Sequence, residues 1–392
     1  MIMNIKKYVF FLSIIFLVGC GKKIKYSNES NLTVLQIDWD NIVDRFDYSS
    51  MVEDSILMIP LEVRDDCIIG EVTKLLYQNN LIYIADNISK SIFVFDLSGK
   101  LVTKVHSLGN GPGEYTNITS FTVHNTDIII FDHTINRLFF YNVSGEFVRD
   151  KDVSAIWGSD MFELDNKLYL VNDGGYSKNG YYHLFSIDLE DADKYEMYLP
   201  FEKRQNNQGW IVDSYHAKLK NEAIIYFWPY DIIYTVTNRE IYPSFRIDFG
   251  KKDIPKEVLY RDGRKALQTT INENYVTLAR VHQSQSYLFL LHGDSHNDYT
   301  TIYDKKRGSM QTVKRMVNNK LGGLFLQASN DSYVVQDEKI IQCYPADYIE
   351  YFSEEYLDSA DFYSEDLRQR FKDWSHWKVE EKNPIVFIQK LK

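Results

Sequence analysis

The feature that most constrains the fold is an internal repeat in the first half of the chain. Residues 81–102 contain an apolar strand ending in Asp86, a short polar loop, a second apolar strand, a Ser-Gly turn and a third strand, and residues 127–148 repeat this order. Asp86 aligns with Asp132 at an offset of 46 residues, and the turn glycines keep the same offset. Repeats of this length, with about four strands each, are typical of β-propellers. A constant offset argues against a β-sandwich with accidental similarity.

Four further, more divergent copies follow. Their strand pairs are residues 168–172 and 184–188, 223–227 and 232–236, 287–291 and 300–304, and 323–327 with 332–335. One isolated strand, residues 55–63, precedes the first copy, and another, residues 384–391, follows the last. The sequence therefore predicts an all-β fold. It is a six-bladed β-propeller of four-stranded antiparallel blades, closed by pairing of the N- and C-terminal strands.

Short helical insertions are expected to decorate the ring. Residues 364–374 begin with Ser364 as a cap, have acidic residues in the first turn, and carry apolar residues at positions 367, 371 and 374. This spacing predicts a helix within an insertion at about 354–380. Another short helix is expected within 254–267 or 269–279.

The N-terminus has the pattern of an export signal. Lys6 and Lys7 precede an apolar run at residues 8–18, which ends at Gly19 and Cys20. A plain membrane anchor or an ordinary signal peptide would explain the apolar run, but the cysteine directly after Gly19 resembles bacterial lipoprotein signals, whose cysteine is acylated. We therefore predict a lipoprotein signal peptide at 1–19, a lipid anchor on Cys20 with a polar tether to residue 50, and the propeller at 51–392.

Charge and cysteine content narrow the class of partner. The formal net charge is −11, which makes nucleic acid an unfavourable partner. Removal of the signal would leave two cysteines, Cys67 and Cys343, which an exported protein could join in a disulfide or keep as two buried thiols. No motif requires a cofactor or a metal.

The chain resembles the exported six-bladed β-propeller lipoproteins of Bacteroides-type bacteria, which are related to NHL-repeat propellers. The resemblance rests on Leu-Val-Gly-Cys at 17–20, the Tyr-Ile-Ala-Asp-Asn repeat beginning at Tyr83, the segment 109–115 with its Gly-Pro-Gly-Glu-Tyr sequence, and Asn-Pro-Ile-Val-Phe at 383–387. It implies the propeller fold. The outer-membrane location is favoured by Gly21, which stands in place of the Asp that retains enteric lipoproteins at the inner membrane. The resemblance implies no activity, because function does not follow from fold.

Candidate binding residues follow from the propeller geometry. The loops that join the second and third strands of each blade, and those between successive blades, lie on one face, which we call the top face. Their polar and aromatic residues are the ligand-binding candidates: Asp86, Asn87, Asp132, His133, Arg137, Asn172, Tyr176, Trp228, Tyr230, Asp231, His292 and Asp294.

Each candidate also has a purely structural interpretation. Asp86 and Asp132 recur, which favours hydrogen bonds to their own loops. Trp228 and Tyr230, with Tyr176, Tyr181 and Tyr182, could form an aromatic platform for sugars or peptides, or could simply pack between blades. The segment 292–296 contains two histidines and an aspartate, but this spacing on a loop is weak evidence for a metal or a catalytic triad.

Two functions remain open from sequence. The first is an outer-membrane binding or scaffold protein that recognises a peptide, a glycan or an envelope protein. The alternative is a propeller enzyme, a lyase or hydrolase that acts on extracellular glycan or peptide, with or without a metal. No catalytic residue can be assigned from the sequence.

Overall fold

Six separate four-stranded antiparallel sheets follow one another around a ring, so the structure is the six-bladed β-propeller that the repeat predicts. The structure is a computed structural model. It describes residues 25–26, 32–173, 180–190, 194–201, 213–259, 263–326, 333–346, 348, 352–376 and 382–392. The predicted signal peptide and Cys20 lie outside this range.

The first four strands lie ahead of the first complete blade. They are β1 (Lys25–Tyr26), β2 (Thr33–Gln36), β3 (Val43–Asp47) and β4 (Val52–Pro60), with a 3-10 turn at Tyr48–Met51. Blade one then contains β5 (Val72–Gln78), β6 (Leu81–Asp86), β7 (Ser91–Phe95) and β8 (Leu101–Val105). Blade two contains β9 (Ser120–His124), β10 (Asp127–Asp132), β11 (Arg137–Tyr141) and β12 (Phe147–Asp152).

The remaining blades follow the same plan. Blade three is β13 (Asp160–Leu164), β14 (Lys167–Val171), β15 (Tyr182–Asp188) and β16 (Tyr195–Pro200). Blade four is β17 (Asp213–Lys218), β18 (Glu222–Trp228), β19 (Ile232–Thr237) and β20 (Glu240–Asp248). Blade five is β21 (Leu278–Gln283), β22 (Tyr287–Gly293), β23 (Asp298–Asp304) and β24 (Ser309–Asn318), with a short β25 (Leu324–Leu326). Blade six is β26 (Tyr333–Gln336), β27 (Lys339–Tyr344) and β28 (Ile385–Leu391), completed by β4.

The two chain ends close the ring as predicted. The N-terminal strand β4 pairs antiparallel with the C-terminal strand β28, with Met58 opposite Phe387. The six inner strands also contact one another in a complete circle, and β26 of blade six meets β5 of blade one. Closure removes two exposed sheet edges that would otherwise offer unpaired backbone groups.

The repeat has the predicted strand assignment. Residues 81–102 are the second and third strands of blade one and the start of the fourth. Gly99 and Gly145 occupy the same turn in blades one and two, at φ values of +83° and +78°, where residues other than glycine are strained. The prediction for the sixth copy is partly wrong. β25, which lies within 323–327, pairs with β24, the outer strand of blade five, and not with a strand of blade six.

The N-terminal segment differs from the predicted tether. β1 and β2 pair in parallel with β20, the outer strand of blade four, and β3 pairs in parallel with β24 of blade five. Leu35 of β2 is buried at 1% exposure. The folded part of the chain therefore begins before residue 51, because the outer edges of two blades recruit this segment as extra strands.

Helices occupy the predicted insertions. Between blades four and five lie α1 (Lys256–Leu259) and α2 (Gly263–Asn272). Within the long insertion of blade six lie α3 (Glu354–Ser359) and α4 (Glu365–Ser375). Ser364 caps α4 through its hydroxyl, which accepts a hydrogen bond from the Leu367 amide at 3.1 Å. No helix of the described residues is long and apolar enough to cross a membrane.

Cys67 and Cys343 do not form a disulfide in the structure. Both are free, buried thiols in the apolar cluster between blades six and one. The Cys67 thiol instead lies 3.5 Å from the Glu62 carbonyl oxygen. Burial raises the pKa of Cys67 to about 11 and that of Cys343 to about 12, so both are poor nucleophiles.

Candidate functional site

The two recurring aspartates support their own loops. Asp86 is buried, and its carboxylate accepts hydrogen bonds from the amides of Gly70 at 3.0 Å, Glu71 at 2.6 Å and Ser89 at 2.8 Å. The Asp132 carboxylate likewise accepts hydrogen bonds from the backbone amides of residues 116, 117 and 134. Neither carboxylate reaches solvent, so both have the turn role rather than a binding role.

The other candidates of blades one and two are held in local pairs. Asn87 is exposed and donates to Glu71 at 2.7 Å. The His133 ring nitrogen Nδ1 lies 2.6 Å from the Thr119 hydroxyl. Arg137 forms an ion pair with Asp150 at 2.7 Å. None of these candidates lines the pocket described below.

The Gly-rich segment between blades one and two is a rigid turn. The Glu114 carboxylate accepts from the Gly111 amide at 2.8 Å, and Gly113 has a φ of +77°. Tyr115 is fully buried and donates its hydroxyl proton to the Lys90 carbonyl at 2.8 Å. This segment thus joins two blades and shows no phosphate-binding geometry.

The candidates of blades three and five are mostly buried. Asn172 is buried, with its side-chain amide donating to the Tyr182 carbonyl at 2.8 Å, and Tyr176 lies outside the described residues. His292 was expected on a loop, but β22 extends to Gly293 and places His292 inside the blade. Burial lowers the pKa of His292 to about 3. Asp294 is paired with Lys252. Among the described residues, no three His, Cys, Asp or Glu side chains converge as metal ligands.

The three candidates of blade four are brought together. Trp228, Tyr230 and Asp231 line a pocket on the top face, which we call the blade-four pocket. The pocket opens to solvent, and its empty space together with the open solvent at its mouth is about 270 Å³. The other lining residues are Tyr226, Pro229, Phe249, Asp253, Ile254 and Val276.

Strand periodicity explains how one wall of the pocket forms. Tyr226 and Trp228 are two residues apart on β18, so their side chains leave the same side of the sheet. Both are buried in the apolar cluster between blades four and five. After Trp228 the chain turns sharply, and the Tyr230 amide donates to the Phe227 carbonyl at 2.8 Å. This turn brings Asp231 to the rim, where its side chain is 59% exposed and lies 3.4 Å from Arg246.

The opposite wall comes from the insertion between blades four and five. Phe249 and Asp253 flank a single 3-10 turn, and the Asp253 carboxylate accepts from the Phe249 amide at 3.1 Å. Burial, and then the charges of Asp248 and Asp231, raise the pKa of Asp253 to about 6. Asp253 therefore takes up a proton at a higher pH than an ordinary aspartate does.

Tyr226 places a polar atom without a partner at the base of the pocket. The side chain is fully buried, and its hydroxyl has no hydrogen-bond partner within the described part of the chain. Burial raises the pKa of Tyr226 well above its usual value, so the hydroxyl stays protonated. A buried donor without an acceptor lowers the stability of the fold.

The N-terminal segment supports the same wall. The Trp39 indole donates to the Phe249 carbonyl at 2.7 Å. Lys252 lies 4.4 Å above the Trp39 ring and is paired with Asp294, so it is not directed at a ligand. Two residues of the predicted aromatic platform, Trp228 and Tyr230, line the pocket. Tyr230 packs against His183 of blade three at 5.5 Å, while Tyr181 and Tyr182 pack within blade three.

Three residues of this site were not predicted from the sequence: Tyr226, Phe249 and Asp253. The spacing of Tyr226 from Trp228 was a usable signal, since alternate residues of a strand share a face. No sequence signal pointed to Phe249 or Asp253, because only the fold brings the insertion over blade four.

Two solved structures align with most of this chain. A protein from Bacteroides fragilis NCTC 9343, described as a presumed exported protein, aligns with a TM-score of 0.69 and 20% identity over 92% of this chain and 100% of its own. A member of the DUF4221 family from Bacteroides vulgatus ATCC 8482 aligns with a TM-score of 0.49 and 11% identity, over 87% and 97% of the two chains.

No protein of curated function matches the sequence significantly. The model of one family does match, over residues 8–390. The chain therefore belongs to the family described as "Domain of unknown function (DUF4934)".

Proposed function

We propose that this chain is an exported, lipid-anchored binding protein of the outer membrane that recognises a glycan in the blade-four pocket. The observation that carries this proposal is the convergence of Tyr226, Trp228, Tyr230, Asp231 and Asp253 around one opening. The basic start, apolar run and cysteine of residues 6–20 support export and lipidation. We also propose that its propeller is related to the NHL-repeat propellers.

The chemistry of the pocket favours a sugar. Aromatic rings offer an apolar face to the C–H side of a pyranose, and carboxylates accept hydrogen bonds from its hydroxyl groups. The lining of the pocket combines aromatic and polar side chains, as small-molecule sites do.

The experiment is a glycan array followed by titration calorimetry on residues 21–392. Asp231→Asn and Asp253→Asn should each weaken the binding of a captured glycan by about tenfold, because each removes an anionic acceptor while keeping the shape of the side chain. The matched control is Asp337→Asn, an exposed residue of the loop between β26 and β27 on the opposite face. Capture of no glycan, or equal weakening by all three substitutions, would refute the proposal. Capture of a peptide or an envelope protein alone would do so as well.

One observation favours a second candidate, a glycoside hydrolase. Such enzymes pair a carboxyl group of raised pKa, which acts as the acid, with a second carboxylate. Asp253, with its pKa raised to about 6, and Asp231 line the same pocket. Release of reducing sugar from the captured glycan, lost in both Asp→Asn variants, would establish hydrolysis. Retention of intact glycan would leave binding as the function.

A further inference from the structure

The N-terminal segment reaches the back of one wall of the blade-four pocket. After β2 the Ile37 amide donates to the Asp248 carbonyl at 2.9 Å, so the pairing with β20 continues to the point where the 3-10 turn at Gly250–Lys252 begins. The next turn of the chain places Trp39 against the apolar cluster between blades four and five. We call residues 33–41 the N-terminal strap.

Trp39 holds the start of the 3-10 turn. The Phe249 carbonyl oxygen accepts two hydrogen bonds, one from the Trp39 indole at 2.7 Å and one from the Lys252 amide at 3.1 Å. The strap and the turn therefore meet at a single oxygen atom. Phe249 lines the pocket, whereas Trp39 does not. Any effect of Trp39 on a ligand must therefore pass through this wall.

Trp39 also holds the end of the turn. The Lys252 ammonium group lies 4.4 Å from the centre of the Trp39 ring and is paired with Asp294 of blade five. This cation–π contact is shielded from water, which strengthens it, since the Lys252 side chain is only 15% exposed. The Lys252 carbonyl accepts a hydrogen bond from the amide of Val276 at 3.0 Å. Val276 and Asp253, the residue after the turn, both line the pocket.

The ring of Trp39 is itself held in one orientation by blade five. Its centre lies 5.3 Å from that of Tyr299 at an interplanar angle of 81°, and 5.5 Å from that of His292 at 89°. Such edge-to-face contacts are a preferred arrangement of aromatic rings. His292 and Tyr299 lie opposite each other on β22 and β23. The strap thus joins the pocket wall to the body of blade five.

We propose that Trp39 is a positioning residue of the blade-four pocket, which fixes the wall formed by Phe249, Asp253 and Val276 and thereby raises the affinity of the site. A wall that moves freely must be ordered when a ligand binds, and this ordering weakens binding. The inference rests on the proposed function for its ligand, but not for the contacts between Trp39 and the wall. It makes the segment between the proposed lipid anchor and the propeller a part of the binding site.

The first measurement needs no ligand, because amide hydrogen exchange of residues 21–392 reports local opening. Trp39→Phe keeps an aromatic ring beneath Lys252 but removes the indole N–H group. It should accelerate exchange of the hydrogen-bonded amides at positions 249, 252, 253 and 276 by about fivefold, as expected for the loss of one hydrogen bond, and leave β6 and β7 of blade one unchanged. Trp39→Leu, which also removes the ring face, should have a larger effect.

The matched control is Trp157→Phe. Trp157 is a partly exposed residue of the loop between β12 and β13, beside His133 and outside the pocket lining. This substitution should leave exchange in the wall unchanged. Unchanged exchange in the wall of Trp39→Phe would overturn the proposal. Equal acceleration in blade one would do the same, since Trp39 would then stabilise the whole fold rather than the wall.

The second measurement is the affinity for the glycan that the array captures. Trp39→Phe should weaken binding by about threefold to tenfold, mainly through faster dissociation, while Trp157→Phe should not. Unchanged affinity with a loosened wall would overturn the positioning role and leave glycan binding intact. If the array captures no glycan, the proposed function fails, and the exchange pattern alone decides whether Trp39 positions the wall.

Discussion

At the scale of the residue, the recurring aspartates have a structural role with a measurable energy. Asp132 is fully buried and accepts hydrogen bonds from three backbone amides, at residues 116, 117 and 134. Asp132→Ala would leave these donors without an acceptor. We expect it to reduce the free energy of unfolding by about 2–4 kcal/mol. Urea unfolding monitored by tryptophan fluorescence measures this loss.

Asp96 provides the matched control, since it accepts similar bonds from Ser98 and Lys100 in a solvent-accessible turn. Water can replace an acceptor there, so Asp96→Ala should cost about 1 kcal/mol or less. Equal losses for Asp132→Ala and Asp96→Ala would contradict the view that burial makes the inner aspartate essential.

Some residues of the candidate site could be predicted from the sequence and others could not. Propeller geometry placed Trp228, Tyr230 and Asp231 on the top face, and the structure brings them to one pocket. It also selected His292, which the structure buries inside β22, because the end of a strand cannot be fixed from an apolar run alone. Trp39 was not predicted, because a single aromatic residue in a polar stretch gives no periodic signal.

At the scale of the element, the N-terminal strands contribute to the stability of blades four and five. Only Leu35 of β2 is buried, while the rest of that strand is exposed. We expect Leu35→Asp to reduce the free energy of unfolding by more than about 3 kcal/mol, because it buries a charge against the apolar cluster between these blades. Thermal and urea unfolding would measure the effect.

The neighbouring residue is the control. Val34 is 54% exposed on the same strand, so Val34→Asp should change stability by less than about 1 kcal/mol. If Leu35→Asp were equally harmless, β2 would not be part of the stable fold. The strand could not be predicted from the sequence, because one inward residue in a polar stretch gives no clear strand periodicity. Its partner β20 also lies about 210 residues away.

At the scale of the whole molecule, the closed ring was the most predictable feature. The 46-residue offset predicted the length and strand order of a blade, and the two unmatched strands at the chain ends predicted that the ring closes. Each of these inferences depends on local pattern and on the need to pair sheet edges. The lining of the pocket depends instead on distances between blades, which no local pattern contains.

The path of the N-terminal segment predicts how the molecule is oriented at a membrane. β1 pairs with the first residues of β20, opposite Glu240 and Ile241, at the face opposite the blade-four pocket. If Cys20 is acylated as proposed, Lys25 lies only five positions after it, and a chain of that length spans at most about 18 Å. Exposed cations also lie on the turns of blades four and five at that face, at positions 220, 239, 306 and 307. The pocket should therefore point away from the lipid.

Lipidated protein in vesicles of phosphatidylethanolamine and phosphatidylglycerol, labelled with a fluorophore at one introduced cysteine, tests this orientation. A label at Arg239→Cys should be quenched by spin-labelled lipid, whereas a label at Asp231→Cys should not, because these positions lie on opposite faces of blade four. The two native thiols are buried and have raised pKa values, so they should remain unlabelled. Mass spectrometry first confirms the acyl chains on Cys20. Stronger quenching at position 231 than at 239 in acylated protein would show that the pocket faces the membrane and that the strand pairing of β1 does not set the orientation.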